Sequence, residues 1–151
     1  MDTALTVAGA VACLALSGLG SAIGTGFAAA GAIGAWKKCY AQNRPAPFLL
    51  LAYVGAPITQ TLYGMILMFT MIGTKVLPGG GVGMLILGIF AGAGIGMSAI
   101  FQGRAGGCSA DAHGETGQGL TNNLAALGVI ETTAIFIMVF TLIAVGSLAA
   151  A

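Results

Sequence analysis

The stretch TGQGLTNNLAALGVIETTAIFIMVFTLIAVGSLAAA, residues 116–151, carries a single charge, Glu131, near its middle. It is longer than the ~20 apolar residues that cross a hydrocarbon core as a helix. An ionised Glu at the centre of such a helix costs on the order of 3 kcal/mol or more, so it marks function rather than packing. Three more charge-free runs precede it, from Thr3 to Trp36, Pro45 to Thr74 and Val76 to Gly103. All other charges fall at Asp2, Lys37, Lys38, Arg44, Lys75, Arg104, Asp111 and Glu115. Glu131 is the only acid inside any run.

Composition points the same way. Of 151 residues 58% are hydrophobic and 6% charged, more apolar surface than a soluble domain of this length can bury. The net charge of +1 offers no basic face for nucleic acid. Cys13, Cys39 and Cys108 have neither metal-ligand nor disulfide spacing and read as small packing residues. The first run lacks a basic leader and is too long for a signal peptide, so it is expected to remain as a span.

The expected fold is an all-α membrane protein with four transmembrane helices in two hairpins, residues 1–75 and 76–151. The spans run from about Ala4 to Ala35, Phe48 to Ile72, Val82 to Gly103 and Leu120 to Leu148. The third is expected to continue past the membrane. Turn signals separate them: Asn43 to Pro47, Pro78 to Gly81, and the polar stretch Ser109 to Gln118. His113 reads there as a solvated loop residue. Lys37, Lys38 and Arg44 gather in the first connection while the second has only Lys75. The positive-inside rule then makes the first and third connections cytoplasmic and puts both termini outside.

Glycine recurs at four-residue intervals. Gly20, Gly24 and Ala28 share a face of the first span, and Gly88, Gly92 and Gly96 share a face of the third. Small-xxx-small faces let membrane helices approach closely. Spacing does not distinguish packing within one chain from packing inside a ring of copies.

The chain also repeats itself. Ser21-Ala22-Ile23-Gly24-Thr25-Gly26 parallels Ser98-Ala99-Ile100-Phe101-Gln102-Gly103, and Ile58-Thr59-Gln60-Thr61 parallels Val129-Ile130-Glu131-Thr132. Gln60 is thus the neutral counterpart of Glu131. In antiparallel neighbours, residues at one depth are equidistant from the connecting turn. The midpoints of Thr25 and Gln60, of Gln60 and Gln102, and of Gln102 and Glu131 all fall in the expected turns. These four residues are therefore expected at one membrane level. Thr59 adjoins Gln60, Tyr63 lies about one turn on, and Thr132 adjoins the acid. Singly, each polar residue reads as interhelical glue. Together, around the one buried acid, they read as an ion site.

Two fused hairpins with glycine-rich odd-numbered spans resemble a known family. So do Pro57-Ile58-Thr59-Gln60-Thr61-Leu62-Tyr63-Gly64, Phe101-Gln102-Gly103-Arg104 and Val129-Ile130-Glu131-Thr132. The family is the rotor-ring proteolipid, subunit K or c, of V-type (A/V-type) ATPases, in its sodium-translocating bacterial form. The resemblance covers essentially the whole chain. It implies a ring of about ten identical subunits, turning against a stator subunit that holds an essential arginine. It also implies a central stalk docked on the cytoplasmic side, a bacterial cell membrane, and ATP hydrolysis in other subunits. By matching positions it places Na⁺ on Thr59, Gln60, Gln102, Glu131 and the carbonyl of Ala56, with the Tyr63 hydroxyl closing the site. Thr133 departs from relatives with a bulkier aromatic there, and Gly106-Gly107-Cys108 leaves the third helix's length open.

The chemistry favours Na⁺, with H⁺ as the alternative cargo and no organic cofactor. A hard cation wants several oxygens, and two amides, a hydroxyl and a carboxylate supply them. A protonated Glu needs only one or two partners. A small four-span multidrug exporter also has few charges and one buried Glu, but in its first span and without hairpin duplication. A purely structural proteolipid or a channel explains the glycine faces but not a shared polar level. Enzymes are disfavoured: no nucleophile–base pair or metal cluster stands out, and Gly18 to Gly26 lacks the lysine of a phosphate loop.

Overall fold

The computed structural model describes residues 1–150. It is all-helical: α1 (Asp2–Ala41), α2 (Leu51–Gly55), α3 (Thr59–Gly73), α4 (Gly81–Thr116) and α5 (Leu120–Ser147). Short 3₁₀ turns, Phe48–Leu50 and Ala56–Ile58, flank α2 and join it to α3. Four helical stretches are long and apolar enough to cross a membrane: α1, Phe48–Gly73, α4 and α5. This makes the chain a multi-pass membrane protein, whose backbone polar groups must be satisfied within helices.

α1 and α4 form the inner pair, and glycine sets their distance. A methyl added at Gly20 would fall on the backbone of Gly96, one at Gly24 on Ala99, and one at Gly88 on Gly9. At Gly92 it would lie 2.6 Å from the Cys13 carbonyl oxygen. The small-residue stripes therefore face each other within one chain. Backbones this close gain van der Waals contact that lipid cannot replace. α3 and α5 pack on the outside of this pair, with Leu67, Ile95, Ala134 and Cys13 at the centre.

Pro57 breaks the second span. It has no N–H for the Tyr53 carbonyl four residues back, so the chain tightens to a 3₁₀ turn over Ala56–Ile58. The expected span from Phe48 to Ile72 is present as one helical stretch, Phe48–Gly73, with this tightened turn inside it. The turn also leaves the Ala56 carbonyl oxygen 2.9 Å from Thr59 Oγ1.

The inner helices run further than their charges suggested. α1 continues to Ala41, so Lys37 and Lys38 lie on a helix, not in the connection. α4 continues to Thr116 through Gly106-Gly107-Cys108, and the expected polar connection Ser109 to Gln118 shrinks to a turn around Gly117 and Gly119. Both of those glycines have positive φ, 68° and 86°. The extensions stay helical because they pair. Lys38 Nζ lies 2.8 Å from Asp111 Oδ1 and 2.7 Å from Glu115 Oε1. Those hydrogen bonds, to Asp111 first and Glu115 second, hold the Lys38 ammonium well above the usual lysine range. Arg44 donates to the Glu115 and Gly114 carbonyls.

His113 is corrected too. It is 7% exposed, and its Nδ1 lies 2.9 Å from the hydroxyl of fully buried Tyr53. Asn123 donates to the same hydroxyl at 3.3 Å, tying α2, α4 and α5 together. At the opposite end Asp2 accepts from the Gly79 and Gly81 amides, both at 3.2 Å. The segment after α5 bonds back to Lys75 and Leu77. The two ends of the described chain thus sit beside the glycine turn, and the basic connection sits at the far end.

Candidate ion-binding site

Four elements meet at Glu131. α5 supplies the acid, α4 supplies Gln102, and the Pro57 break with the start of α3 supplies Ala56, Thr59, Gln60 and Tyr63. Gln60 and Gln102 are fully buried, while Thr59, Tyr63 and Glu131 are partly buried.

The network reads from one edge to the other. Thr59 Oγ1 lies 2.9 Å from the Ala56 carbonyl oxygen and 3.1 Å from Gln60 Oε1. Gln60 Nε2 donates to Gln102 Oε1 at 2.9 Å. Gln102 Nε2 donates to the Leu127 carbonyl at 3.1 Å and to Glu131 Oε2 at 3.2 Å. The Tyr63 hydroxyl donates to Glu131 Oε1 at 2.6 Å. The two donations from Gln102 Nε2 leave its oxygen facing Gln60.

Two features suit a cation. Thr59 has one hydroxyl proton but two carbonyl oxygens within bonding distance, so one of them faces it without a hydrogen. Both oxygens of Glu131 accept hydrogen bonds, Oε1 from Tyr63 and Oε2 from Gln102, so both face into the linked set. Oxygens from a backbone carbonyl, a hydroxyl, two amides and a carboxylate therefore sit in one linked set. Hard monovalent and divalent cations take such oxygen donors, and soft metals do not. Among the described residues no cluster of His, Cys, Asp and Glu forms a metal site of the other kind.

Not every residue of the expected level joins. Thr25 Oγ1 is buried with no hydrogen-bond partner among the described residues. Thr132 turns back to the Val129 carbonyl at 2.7 Å on an exposed face. Thr133 lines an apolar groove between α4 and α5 with Phe90, Phe136 and Phe140.

Two participants escaped sequence reasoning. Leu127 contributes only its carbonyl, which no side-chain pattern advertises. Ser98 donates to the Ile130 carbonyl at 3.0 Å and pins α5 to α4 beside the acid. Its signal was available, because it stands one turn before Gln102 inside the repeated motif.

The chain matches no protein-family model and no curated protein. The functional reading therefore rests on this geometry and on the sequence motifs.

Proposed function

We propose that the chain is the ion-carrying rotor subunit of a V-type rotary ATPase. In this reading it carries Na⁺ across the membrane by reversible binding at Glu131 as a ring of copies turns. The observation that carries it is the single linked set of Ala56, Thr59, Gln60, Gln102, Tyr63 and Glu131 inside a multi-pass helical bundle. A lone buried carboxylate could bind a proton with one partner; this one is embedded among several oxygens.

The mechanism follows from solvation. A bound ion neutralises Glu131, so the site can pass lipid without exposing a charge. Tyr63 and Gln102 hold the two carboxylate oxygens and keep the empty site from collapsing. Where a stator arginine and a polar path face the site, the carboxylate has a competing partner and water to receive the ion. Release and reloading on opposite sides then couple rotation to transport. ATP chemistry belongs to other subunits.

Ring formation is tested by size. The subunit is 14.8 kDa. In mild detergent the rotor reading requires a particle of about ten copies, whereas a dimer would favour the exporter. Orientation is tested separately. A cysteine at Gln42, in the turn after α1, should react with a membrane-impermeant maleimide only once the cytoplasmic side is opened. Labelling from the outside of intact cells would refute a cytoplasmic basic end, where the central stalk would dock.

A further inference from the structure

α5 carries the acid, yet the bundle grips it only along a narrow stripe. Its buried residues are Leu127, Ala134, Thr141 and Val145, while Val129, Phe136, Phe140 and Ile143 are exposed. A helix held on one stripe resists rotation about its own axis weakly. A carboxylate sits about 6 Å from that axis, so a rotation of roughly 20° moves it about 2 Å. That is enough to break the 2.6 Å bond from Tyr63 to Glu131. Something must fix the rotation of α5.

Among the described residues, the side-chain hydrogen bonds from α4 to α5 all fall between Leu127 and Glu131. Two come from Gln102 Nε2, to the Leu127 carbonyl and to Glu131 Oε2. Gln102 belongs to the ion's oxygen set, and its Oε1 now accepts from Gln60. An ion that claims this oxygen turns the amide, so these bonds change as the site loads. The third bond does not depend on the ion. Ser98 Oγ donates to the Ile130 carbonyl at 3.0 Å, and Ser98 is 6% exposed. That carbonyl belongs to the peptide unit that carries the Glu131 N–H, and its second lone pair leaves the helix bond in place.

The internal repeat supplies a comparison. Ser21, Thr59 and Gln60 in the first hairpin correspond to Ser98, Ile130 and Glu131 in the second. Ser21 is just as buried, 4% exposed, but its Oγ has no hydrogen-bond partner among the described residues. The half with the acid makes the serine–backbone bond, and the half with the neutral amide does not. General helix glue would be expected in both halves.

We propose that Ser98 is a positioning residue for the ion site. By holding the Ile130 carbonyl it sets the rotation of α5 and keeps Glu131 facing Tyr63 and Gln102, whether the site is loaded or empty. This rests on the reading of Glu131 as the ion carrier.

The test titrates Na⁺ against carbodiimide modification of Glu131 in the full-length protein and reads the half-protecting concentration. Ser98→Ala should raise it about fivefold, the equivalent of one hydrogen bond at about 1 kcal/mol. Ser98→Thr, which keeps the hydroxyl, should restore it. Val145→Ala loosens the same helix at its far end, where Val145 packs with Met71 and Met84. It should lower the unfolding midpoint and leave the half-protecting concentration unchanged. The second readout needs no ion: the infrared band of the Glu131 carboxyl group, located by its absence in Glu131→Gln, should shift or broaden in Ser98→Ala. Wild-type protection in Ser98→Ala, or an equal loss in Val145→Ala, overturns the proposal. A wild type indifferent to Na⁺ counts against the sodium reading instead, and the infrared band then decides the role of Ser98. An unchanged band in Ser98→Ala overturns that role.

Discussion

Glu131→Gln is expected to reduce ion-coupled transport to background while leaving the fold in place. The carboxylate is the only acid among the oxygens that converge on the site, and an amide cannot neutralise a cation. Packing should tolerate the change. Gln is of similar size, its oxygen can still accept from Tyr63, and Gln60 already fills the repeat-related position. The stability change should stay within about 1 kcal/mol. Ion flux into vesicles driven by the assembled complex, read beside the midpoint of denaturant-induced unfolding, separates the two effects. Coupled flux in the purified mutant would remove Glu131 from the carrier role.

The largest structural effect is expected from Gly20→Leu. Even one methyl at this position meets the Gly96 backbone, which cannot rotate aside as a side chain can. α1 and α4 must separate, and overpacking of this kind costs about 3 kcal/mol. Gly146→Ala is the matched control. Its added methyl meets nothing within 4 Å, and alanine favours helix by about 1 kcal/mol over glycine. Unfolding in increasing denaturing detergent, followed by helical circular dichroism, should show a large downward shift for the first and none for the second. Equal behaviour of both variants would mean that the α1–α4 contact does not hold the bundle together.

The spans were legible because hydrocarbon leaves few options. A run without charges that is longer than the bilayer is thick has to be a helix, and four such runs give four crossings. The site was legible for a related reason. Gln60, Gln102 and Glu131 are expensive at membrane depth, and turn arithmetic alone puts them at one level. The structure links all three by hydrogen bonds.

What was missed involves partners distant in sequence. Lys37, Lys38, Asp111 and Glu115 look like loop residues locally. Lys38 reaches both acids across more than 70 residues and extends two helices beyond the outer pair. Gly106 and Gly107 look like helix breakers, yet they let α4 pass close to Tyr53, Phe27 and Ala28. His113 looked solvated because its partner, Tyr53, lies in another span. Thr25 shared the expected depth, but its hydroxyl reaches none of the site's oxygens. Depth is a one-dimensional constraint, and it does not say which way a side chain faces.

The central claim, that these oxygens bind Na⁺, is tested most directly by the reactivity of Glu131 itself. A hydrophobic carbodiimide modifies protonated carboxyls within the membrane. Na⁺ bound at the site holds the carboxylate ionised and coordinated, so added Na⁺ at fixed pH and ionic strength should slow modification of Glu131. Gln102→Ala should weaken that protection, because it removes an oxygen ligand and the amide that orients Glu131 Oε2. A modification rate that falls with Na⁺ in the wild type, and falls less in Gln102→Ala, is the predicted result. A rate that depends on pH but is indifferent to Na⁺ would contradict the account and leave the proton as the carried ion.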